Sequence, residues 1–163
     1  MQVTAYVALG ANLGDPIATV RAAIDALRSL AGTQFIAASS LYRTAPVGLR
    51  HQPDFINAVV ALESDTAVLP APTFLQSLFE IEASFGRVRS IKNAPRTLDL
   101  DLLLYGNEQH DSATLTLPHP RMTQRAFVLA PLAEIAPDLI IPGHGRAAQL
   151  LASLADQAIA RLP

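Results

Sequence analysis

Apolar residues recur along the chain at two spacings, which predict an alternation of strands and helices. Leucines of both parities fill residues 98–104, as in a buried strand, and residues 4–9 form a second short apolar run. Between Ile17 and Leu30, apolar residues return every three or four positions, which predicts a helix with Asp15 as its N-cap and Pro16 at its first position.

The next elements follow the same two patterns. Strands are predicted over residues 34–42 and 54–62, with a loop over 43–53 between them, and a helix opens at Pro72 and closes at Gly86. The order strand, helix, strand, strand, helix, strand is the βαββαβ pattern of a ferredoxin-like α+β fold. We therefore expect a mainly antiparallel sheet with helices packed on it.

The rest of the chain is predicted to form an extension of short elements. These are a hairpin of 109–111 with 115–116, two helical pieces within 124–135 that break near Pro131, a strand over 139–141 and an amphipathic helix over 147–159. We expect one domain over residues 1–163.

Composition narrows the class of protein. Half of the 163 residues are apolar and 16% are charged, which is typical of a globular chain with a sizeable core. We see no apolar run of about 18 residues and no signal-peptide pattern, and we expect a cytoplasmic protein that does not bind membranes. The absence of cysteine excludes disulfides and thiolate metal sites. The net charge of −2 argues against a nucleic-acid partner.

Two aspartates stand side by side at the start of the leucine-rich strand. Because residues two apart in a strand share a face, Asp99 and Asp101 point the same way, with Cα atoms about 6.5–7 Å apart. The other face is predicted to carry Leu98, Leu100, Leu102 and Leu104. Paired carboxylates repel, and Mg²⁺, which takes one or two protein carboxylates plus water and phosphates, relieves that repulsion. Two solvated aspartates at the mouth of a strand are the alternative interpretation.

Basic residues flank this strand. Six of the twelve Lys and Arg residues lie just before or after it: Arg87, Arg89, Lys92, Arg96, Arg121 and Arg125. Such a concentration of positive charge suits an anionic ligand that is bound together with its metal. His119, which two prolines stiffen in the same region, is a candidate donor to phosphate.

Two further segments carry candidate chemistry. Phe55 and Asn57 stand on one face at the entrance of the strand over 54–62, and a ring beside an amide suits a flat heterocycle with polar edges. An edge strand with Asn57 bonded to a loop is the alternative. Residues 10–15 are either a phosphate-binding turn or a plain strand-to-helix turn, and they lack the Gly-Lys-Ser/Thr of a P-loop.

Taken together, motifs along essentially the whole chain resemble those of the 6-hydroxymethyl-7,8-dihydropterin pyrophosphokinase family of folate biosynthesis. They are GANLG (10–14), SLYRTAPVG (40–48), QPDFIN (52–57), GRVR (86–89), PRTLDLD (95–101), PHPRM (118–122) and RAF (125–127). The family transfers the terminal diphosphate of ATP to the hydroxymethyl group of the pterin and releases AMP. The resemblance implies the same activity here, in a monomer whose partners are ATP and this pterin.

The resemblance also implies a role for each matched position. Asp99 and Asp101 are expected to hold two Mg²⁺ ions that bridge the triphosphate. The residues expected to bind ATP are Glu82, Arg87, Arg96, Leu102, Thr116, His119 and Arg125. Of these, Arg87, Arg96 and His119 are the expected catalytic residues. The expected pterin-binding residues are Thr44, Val47, Phe55, Asn57 and Phe127.

The chain departs from the family pattern at three places. It has no tryptophan in the loop before Pro95, Phe55 stands where tyrosine is common, and Phe79 stands where glutamine is often found.

Two other classes of protein fit parts of the sequence pattern. An RNA- or ligand-binding module is one, although only 6% of residues are aromatic, and a metal-dependent phosphohydrolase with an Asp-x-Asp pair is the other.

Overall fold

The computed structural model describes residues 1–46, 52–86 and 97–163. The first elements in chain order are β1 (Gln2–Ala11), α1 (Pro16–Arg28), β2 (Thr33–Ala38), β3 (Tyr42–Thr44), β4 (Phe55–Asp65), α2 (Ala71–Ser84) and β5 (Asp99–Tyr105). Shorter elements follow: β6 (His110–Asp111), β7 (Thr116–Leu117), a 3-10 turn (Met122–Gln124), α3 (Ala126–Ile135), β8 (Ile140–Ile141), β9 (Gly145–Arg146), α4 (Ala147–Ala152) and β10 (Ala160–Arg161).

The main sheet has β1 near its centre. Strand β1 pairs with β4 on one side and with β5 on the other, while β2 and β3 both pair with β4 and β10 pairs with β3. All of these pairings are antiparallel. Helices α1 and α2 complete the βαββαβ order, so the predicted ferredoxin-like α+β fold is confirmed.

Each face of this sheet has its own apolar core. The face that carries Val7, Leu9 and Ile56 packs against α1 and α2. The opposite face, which includes Ala8 and Val59, packs against α3, and α4 packs on α3 in turn. Because side chains alternate along a strand, the same strands contribute to both cores.

A β-bulge in β5 changes the predicted faces of the leucine run. Opposite β1, Tyr6 pairs with Leu104 but Val7 pairs with Leu102, so Leu103 is an extra residue. Beyond it, Leu104 lies in the core under α3, whereas Leu102 lies in the core under α1 and α2. The prediction that all four leucines share one face is therefore wrong at Leu104, since a bulge reverses the alternation.

The predicted strand over 34–42 is divided into β2 and β3 at Ser39. The Ser39 hydroxyl accepts a hydrogen bond from the Val59 N–H at 2.9 Å and donates to the Ser40 carbonyl at 2.8 Å. Its backbone N–H still donates to the Val59 carbonyl at 2.9 Å. The Ser39 hydroxyl thus replaces one backbone partner in the hydrogen-bond ladder and interrupts the strand. Strand propensity alone does not predict this interruption.

Two predictions about the extension are wrong. Helix α3 runs through Pro131 without a break, because Pro131 and its neighbours Val128, Leu129 and Leu132 are buried and their packing outweighs the lost backbone hydrogen bond. Helix α4 ends at Ala152 rather than at 159, and the Ser153 hydroxyl donates to the Leu150 carbonyl at 2.7 Å at that point.

The hairpin after β5 and the cap of α1 agree with the sequence prediction. Strands β6 and β7 form the predicted hairpin, with His110 opposite Leu117 and Asp111 opposite Thr116. Asp15 caps α1 by accepting from the Ala18 N–H at 3.2 Å. Strand β10 was not predicted. Within the described ranges, no helix is long and apolar enough to cross a membrane.

Candidate functional site

Polar side chains line up across the sheet face that points toward α3. In the pairing register, Asn57 lies opposite Gly10, and Gly10 lies opposite Asp99. The next row is Val59, Ala8 and Asp101. Because paired residues share a face, both aspartates project to the α3 side, so the prediction that they point the same way is confirmed, and both are half-buried.

Gly10 leaves space in the middle of this row. A Cβ atom at Gly10 would lie 3.2 Å from Asn57 Oδ1, so even a methyl group would be crowded there. The missing side chain keeps the sheet surface open between Asn57 and Asp99. This residue belongs to β1 rather than to a phosphate-binding turn, and glycine inside a strand is the signal that indicates a close approach.

The predicted pterin-binding residues on β3 and β4 come together. Asn57 is 6% exposed and donates from Nδ2 to the Thr44 hydroxyl at 3.0 Å. Thr44 lies opposite Phe55 across the β3–β4 pair, and the Phe55 side chain is half-buried. The amide of Asn57 is thus held by a neighbouring strand, which fixes its orientation at the open face.

Asn12 is a site-supporting residue that was not singled out from the sequence. Its side chain is 7% exposed and donates from Nδ2 to Gln52 Oε1 at 3.1 Å and to the Pro53 carbonyl at 3.3 Å. These bonds tie the end of β1 to the segment that leads into Phe55. The sequence signal was an asparagine just after the end of the glycine-containing strand β1, because a polar side chain that is buried there needs hydrogen-bond partners.

A cleft of about 260 Å³ lies along the outer edge of β5. It is lined by Leu75, Phe79, Leu100, Asp101, Leu102, Ala113, Thr114, Leu115, Thr116, His119 and Pro120. The cleft therefore brings Asp101 together with Leu102, Thr116 and His119, three of the residues predicted to bind ATP. Most of the remaining wall is apolar, which suits the flat faces of a nucleobase.

Glu82 lies behind the two aspartates. Its side chain is 1% exposed on α2, and Oε2 accepts the backbone N–H of Leu100 at 2.7 Å. Leu100 separates Asp99 from Asp101, and its N–H belongs to an edge strand. Glu82 thus satisfies a buried donor and anchors the strand that carries both carboxylates.

His119 lines the same cleft as Asp101 and is close enough to Asp99 to be affected by its charge. Its backbone N–H donates to the Leu103 carbonyl at 2.9 Å, which docks it against β5. Burial lowers the His119 pKa, and Arg125 lowers it further, while Asp99 acts in the opposite direction. Nδ1 accepts the Arg121 N–H at 3.3 Å, so the neutral ring carries its proton on Nε2 as a hydrogen-bond donor.

Arg125 and Phe127 approach from the start of α3. The guanidinium of Arg125 lies 5.4 Å from the centre of the Phe127 ring, and Phe127 packs against the core under α3. Arg125 also contributes to the electrostatic environment of His119. Three other predicted residues, Val47, Arg87 and Arg96, lie outside the described residues.

The donor set at Asp99 and Asp101 fits a magnesium ion that is bound together with a substrate. Among the residues that the structure describes, no group of three or more His, Cys, Asp or Glu side chains could hold a metal. Mg²⁺ typically uses one or two carboxylates and completes its shell with water and phosphate oxygens. Two half-buried carboxylates on one face match that requirement.

Known structures share this fold. The chain superposes on a crystal structure of wild-type Plasmodium falciparum HPPK-DHPS with pteroate with a TM-score of 0.72 at 13% sequence identity. The match covers 96% of this chain and 43% of that one, so this chain spans less than half of the structure that it resembles.

Sequence comparison identifies the family. The chain belongs to the 7,8-dihydro-6-hydroxymethylpterin-pyrophosphokinase family, whose sequence model matches residues 6–137. It is 46% identical over 158 residues to the 2-amino-4-hydroxy-6-hydroxymethyldihydropteridine pyrophosphokinase of Pseudomonas aeruginosa, a match that covers 97% of this chain and 96% of the relative. It is 42% identical over 160 residues to the Haemophilus influenzae protein of the same name, with 98% of each chain covered.

Proposed function

We propose that the protein transfers diphosphate from ATP to the hydroxymethyl group of 6-hydroxymethyl-7,8-dihydropterin and releases AMP, in folate biosynthesis. One observation supports this most strongly: Asn57 and Asp99 share one sheet face with only Gly10 between them. Neighbouring strands lie about 4.8 Å apart, so the pair stands about 10 Å apart across the sheet. A bicyclic ring with a one-carbon arm fits that span.

The pterin would lie on the β3–β4 side of this face. Phe55 and Phe127 offer ring faces, and the oriented amide of Asn57 offers hydrogen bonds to the polar edge of the heterocycle. Thr44 holds that amide in place. With the ring seated there, its hydroxymethyl arm points across Gly10 toward the two aspartates.

ATP would lie on the β5 side. The cleft beside Leu102 and Thr116 receives the nucleoside, and the triphosphate reaches Asp99 and Asp101 past His119. The two carboxylates are expected to hold two Mg²⁺ ions. Bound there, Mg²⁺ would neutralise charge on the triphosphate and lower the pKa of the attacking hydroxyl.

The protein's part in the reaction is positioning and charge stabilisation. The hydroxymethyl oxygen bonds to the β-phosphorus, the bond from that phosphorus to the α,β-bridging oxygen breaks, and AMP leaves with the electron pair while the hydroxyl proton passes to solvent. His119, as a neutral N–H donor, and Arg125, as a cation, stabilise phosphate oxygens. Arg87 and Arg96 are proposed for the same task on the basis of the family resemblance. A monomeric state and a cytoplasmic location also stay predictions.

The test is an AMP assay. The protein is incubated with ATP and Mg²⁺, with and without hydroxymethyl-dihydropterin, and AMP and the diphosphorylated pterin are quantified. We expect both products in equal amounts and only when the pterin is present. Release of phosphate or diphosphate without pterin would indicate a phosphohydrolase instead, and no nucleotide turnover in either case would contradict the proposal. Asp99→Asn is the matched inactive control.

A further inference from the structure

The C-terminal segment from 153 to 163 lies beyond the residues that the family model matches, which end at 137. It follows α4 and finishes as β10, an added strand at the edge of the main sheet. Along this path it contacts elements that carry candidate site residues.

Gln157 binds the start of α3 with both halves of its side-chain amide. Oε1 accepts the Ala126 N–H at 2.9 Å, and Nε2 donates to the Gln124 carbonyl at 2.9 Å. These two backbone groups flank Arg125. The first N–H groups of a helix have no partner inside the helix, and Arg125, at the N-cap, makes no side-chain capping bond. Gln157 thus supplies a cap from a distant part of the chain.

The segment around Gln157 is held at both ends. On its N-terminal side, the Gln157 N–H donates to the Leu154 carbonyl at 3.0 Å. On its C-terminal side, Ala160 and Arg161 pair with β3, and the Leu162 N–H donates to the Leu41 carbonyl at 2.9 Å. The Gln157 amide is therefore presented by a fixed backbone, which lowers the entropic cost of its two bonds.

The same segment binds the other end of α3. Arg161 Nη2 donates a hydrogen bond to Glu134 Oε2 at 3.5 Å. Glu134 in turn accepts the Tyr42 hydroxyl at 2.7 Å and the Ser40 N–H at 3.0 Å, next to β3. The C-terminal segment thus spans α3 from its first residue to its last turn.

We propose that Gln157 is a positioning residue for the substrate site: by capping α3 from outside the core, it sets the place of Arg125 and Phe127. This rests on the proposed function, since the roles of Arg125 in ATP binding and of Phe127 in pterin binding belong to it. Gln157 is not among the residues proposed to bind either ligand. Its effect passes through the backbone of 124–126.

The experiment compares Gln157→Leu, which removes both bonds, with Gln157→Glu, which keeps an acceptor for the Ala126 N–H and loses the donor to Gln124. Exposed Gln149 on α4 provides the matched control, Gln149→Leu. Dissociation constants are measured for the pterin and for a non-hydrolysable ATP analogue with Mg²⁺, well below the melting temperature of each variant. Turnover of the wild-type protein is measured first.

We expect Gln157→Leu to raise both dissociation constants about five- to tenfold, Gln157→Glu to raise them less, and Gln149→Leu to leave them within about twofold. A purely structural role for Gln157 predicts a lower melting temperature with unchanged affinities of the folded protein, and that result would overturn the proposal. If Gln157→Leu does not fold, Gln157→Glu decides the question in the same way. A wild-type protein that makes no AMP would instead overturn the proposed function.

Discussion

The two faces of the main sheet are formed by the same strands, yet their side chains differ in polarity and in role. The face under α1 and α2 is mainly apolar, with Leu9, Ile56 and Leu100 fully or almost fully buried. The face under α3 is apolar at Ala8 and Val59, but the same row ends in Asp101, and the adjacent row holds Asn57, Gly10 and Asp99.

This difference separates stability from function at the level of single residues. Ile56 and Asn57 are adjacent in β4 but project to opposite faces, and the same holds for Leu100 and its neighbour Asp101. Burial of the apolar set on one face stabilises the sheet, so the other face can hold charged groups that repel each other when no ligand is bound. Substitutions at adjacent residues should therefore have different effects: one should lower stability, and the other should impair ligand binding or turnover.

The strongest test removes the acid pair. We expect Asp99→Ala and Asp101→Ala each to lower turnover by about a thousandfold or more, because each removes charge that holds the metal and triphosphate in place. The melting temperature should stay the same or rise, since the remaining carboxylate loses a like-charged neighbour. Steady-state AMP formation and thermal unfolding measure the two effects. Near-normal turnover at saturating Mg²⁺ in either variant would contradict the metal role.

The second test uses adjacent residues of β4. Ile56→Ala should lower the free energy of unfolding by about 2–5 kcal/mol, because it opens a cavity in the core under α1 and α2. Asn57→Ala and Phe55→Ala should instead weaken pterin binding by about 1–3 kcal/mol and ATP binding much less. Denaturant unfolding and calorimetry with each ligand separate the two outcomes.

The comparison on β4 has a clear point of failure. If Asn57→Ala weakens pterin binding and ATP binding equally, or if Ile56→Ala leaves the free energy of unfolding unchanged, then the two faces are not functionally distinct at this strand.

The third test concerns the open position in the polar row. Gly10→Ala places a methyl group 3.2 Å from Asn57 Oδ1, so we expect about tenfold weaker pterin binding. Gly14→Ala is the control, because Gly14 has a φ of +63° with no atom within 4 Å of its Cβ position. That change should cost only about 1 kcal/mol of stability through backbone strain and leave pterin affinity unchanged. Equal pterin affinities in the two variants would show that Gly10 has no special role.

Several features of the site could be predicted because they depend on local pattern. Strand alternation alone places Asp99 beside Asp101 and Phe55 beside Asn57, and the structure keeps both pairs on the α3 side. The order of strands and helices likewise fixes the ferredoxin-like topology. These inferences need no knowledge of which strand lies next to which.

The features that were missed depend on partners distant in the sequence. The bulge at Leu103 exists only in relation to β1, and the role of Gly10 appears only once Asn57 and Asp99 are placed on either side of it. Strand β10 is two residues long and forms because β3 offers a free edge. Helix α3 continues through Pro131 because tertiary packing outweighs local propensity.

The smallest expected effect tests the support behind β3 through pH. Burial raises the pKa of Glu134, but the Tyr42 hydroxyl, the N–H and hydroxyl of Ser40 and the charge of Arg161 outweigh burial and hold this pKa below its ordinary value. The same contact acts on Tyr42. Burial and the hydrogen bond to Glu134 raise the pKa of Tyr42 to about 12.

A lowered carboxyl pKa stabilises the folded protein at pH values above the pKa of the unfolded chain, which is about 4.3. This contribution to stability disappears as pH falls through the folded-state pKa. Glu134→Gln behaves as a permanently neutral form. We therefore expect the difference in unfolding free energy between the wild-type protein and Glu134→Gln to be largest near pH 7 and to shrink below about pH 4.3, as measured by urea unfolding at a series of pH values. A difference that stays constant over this range would mean that Glu134 supports β3 by shape alone and that its charge contributes nothing.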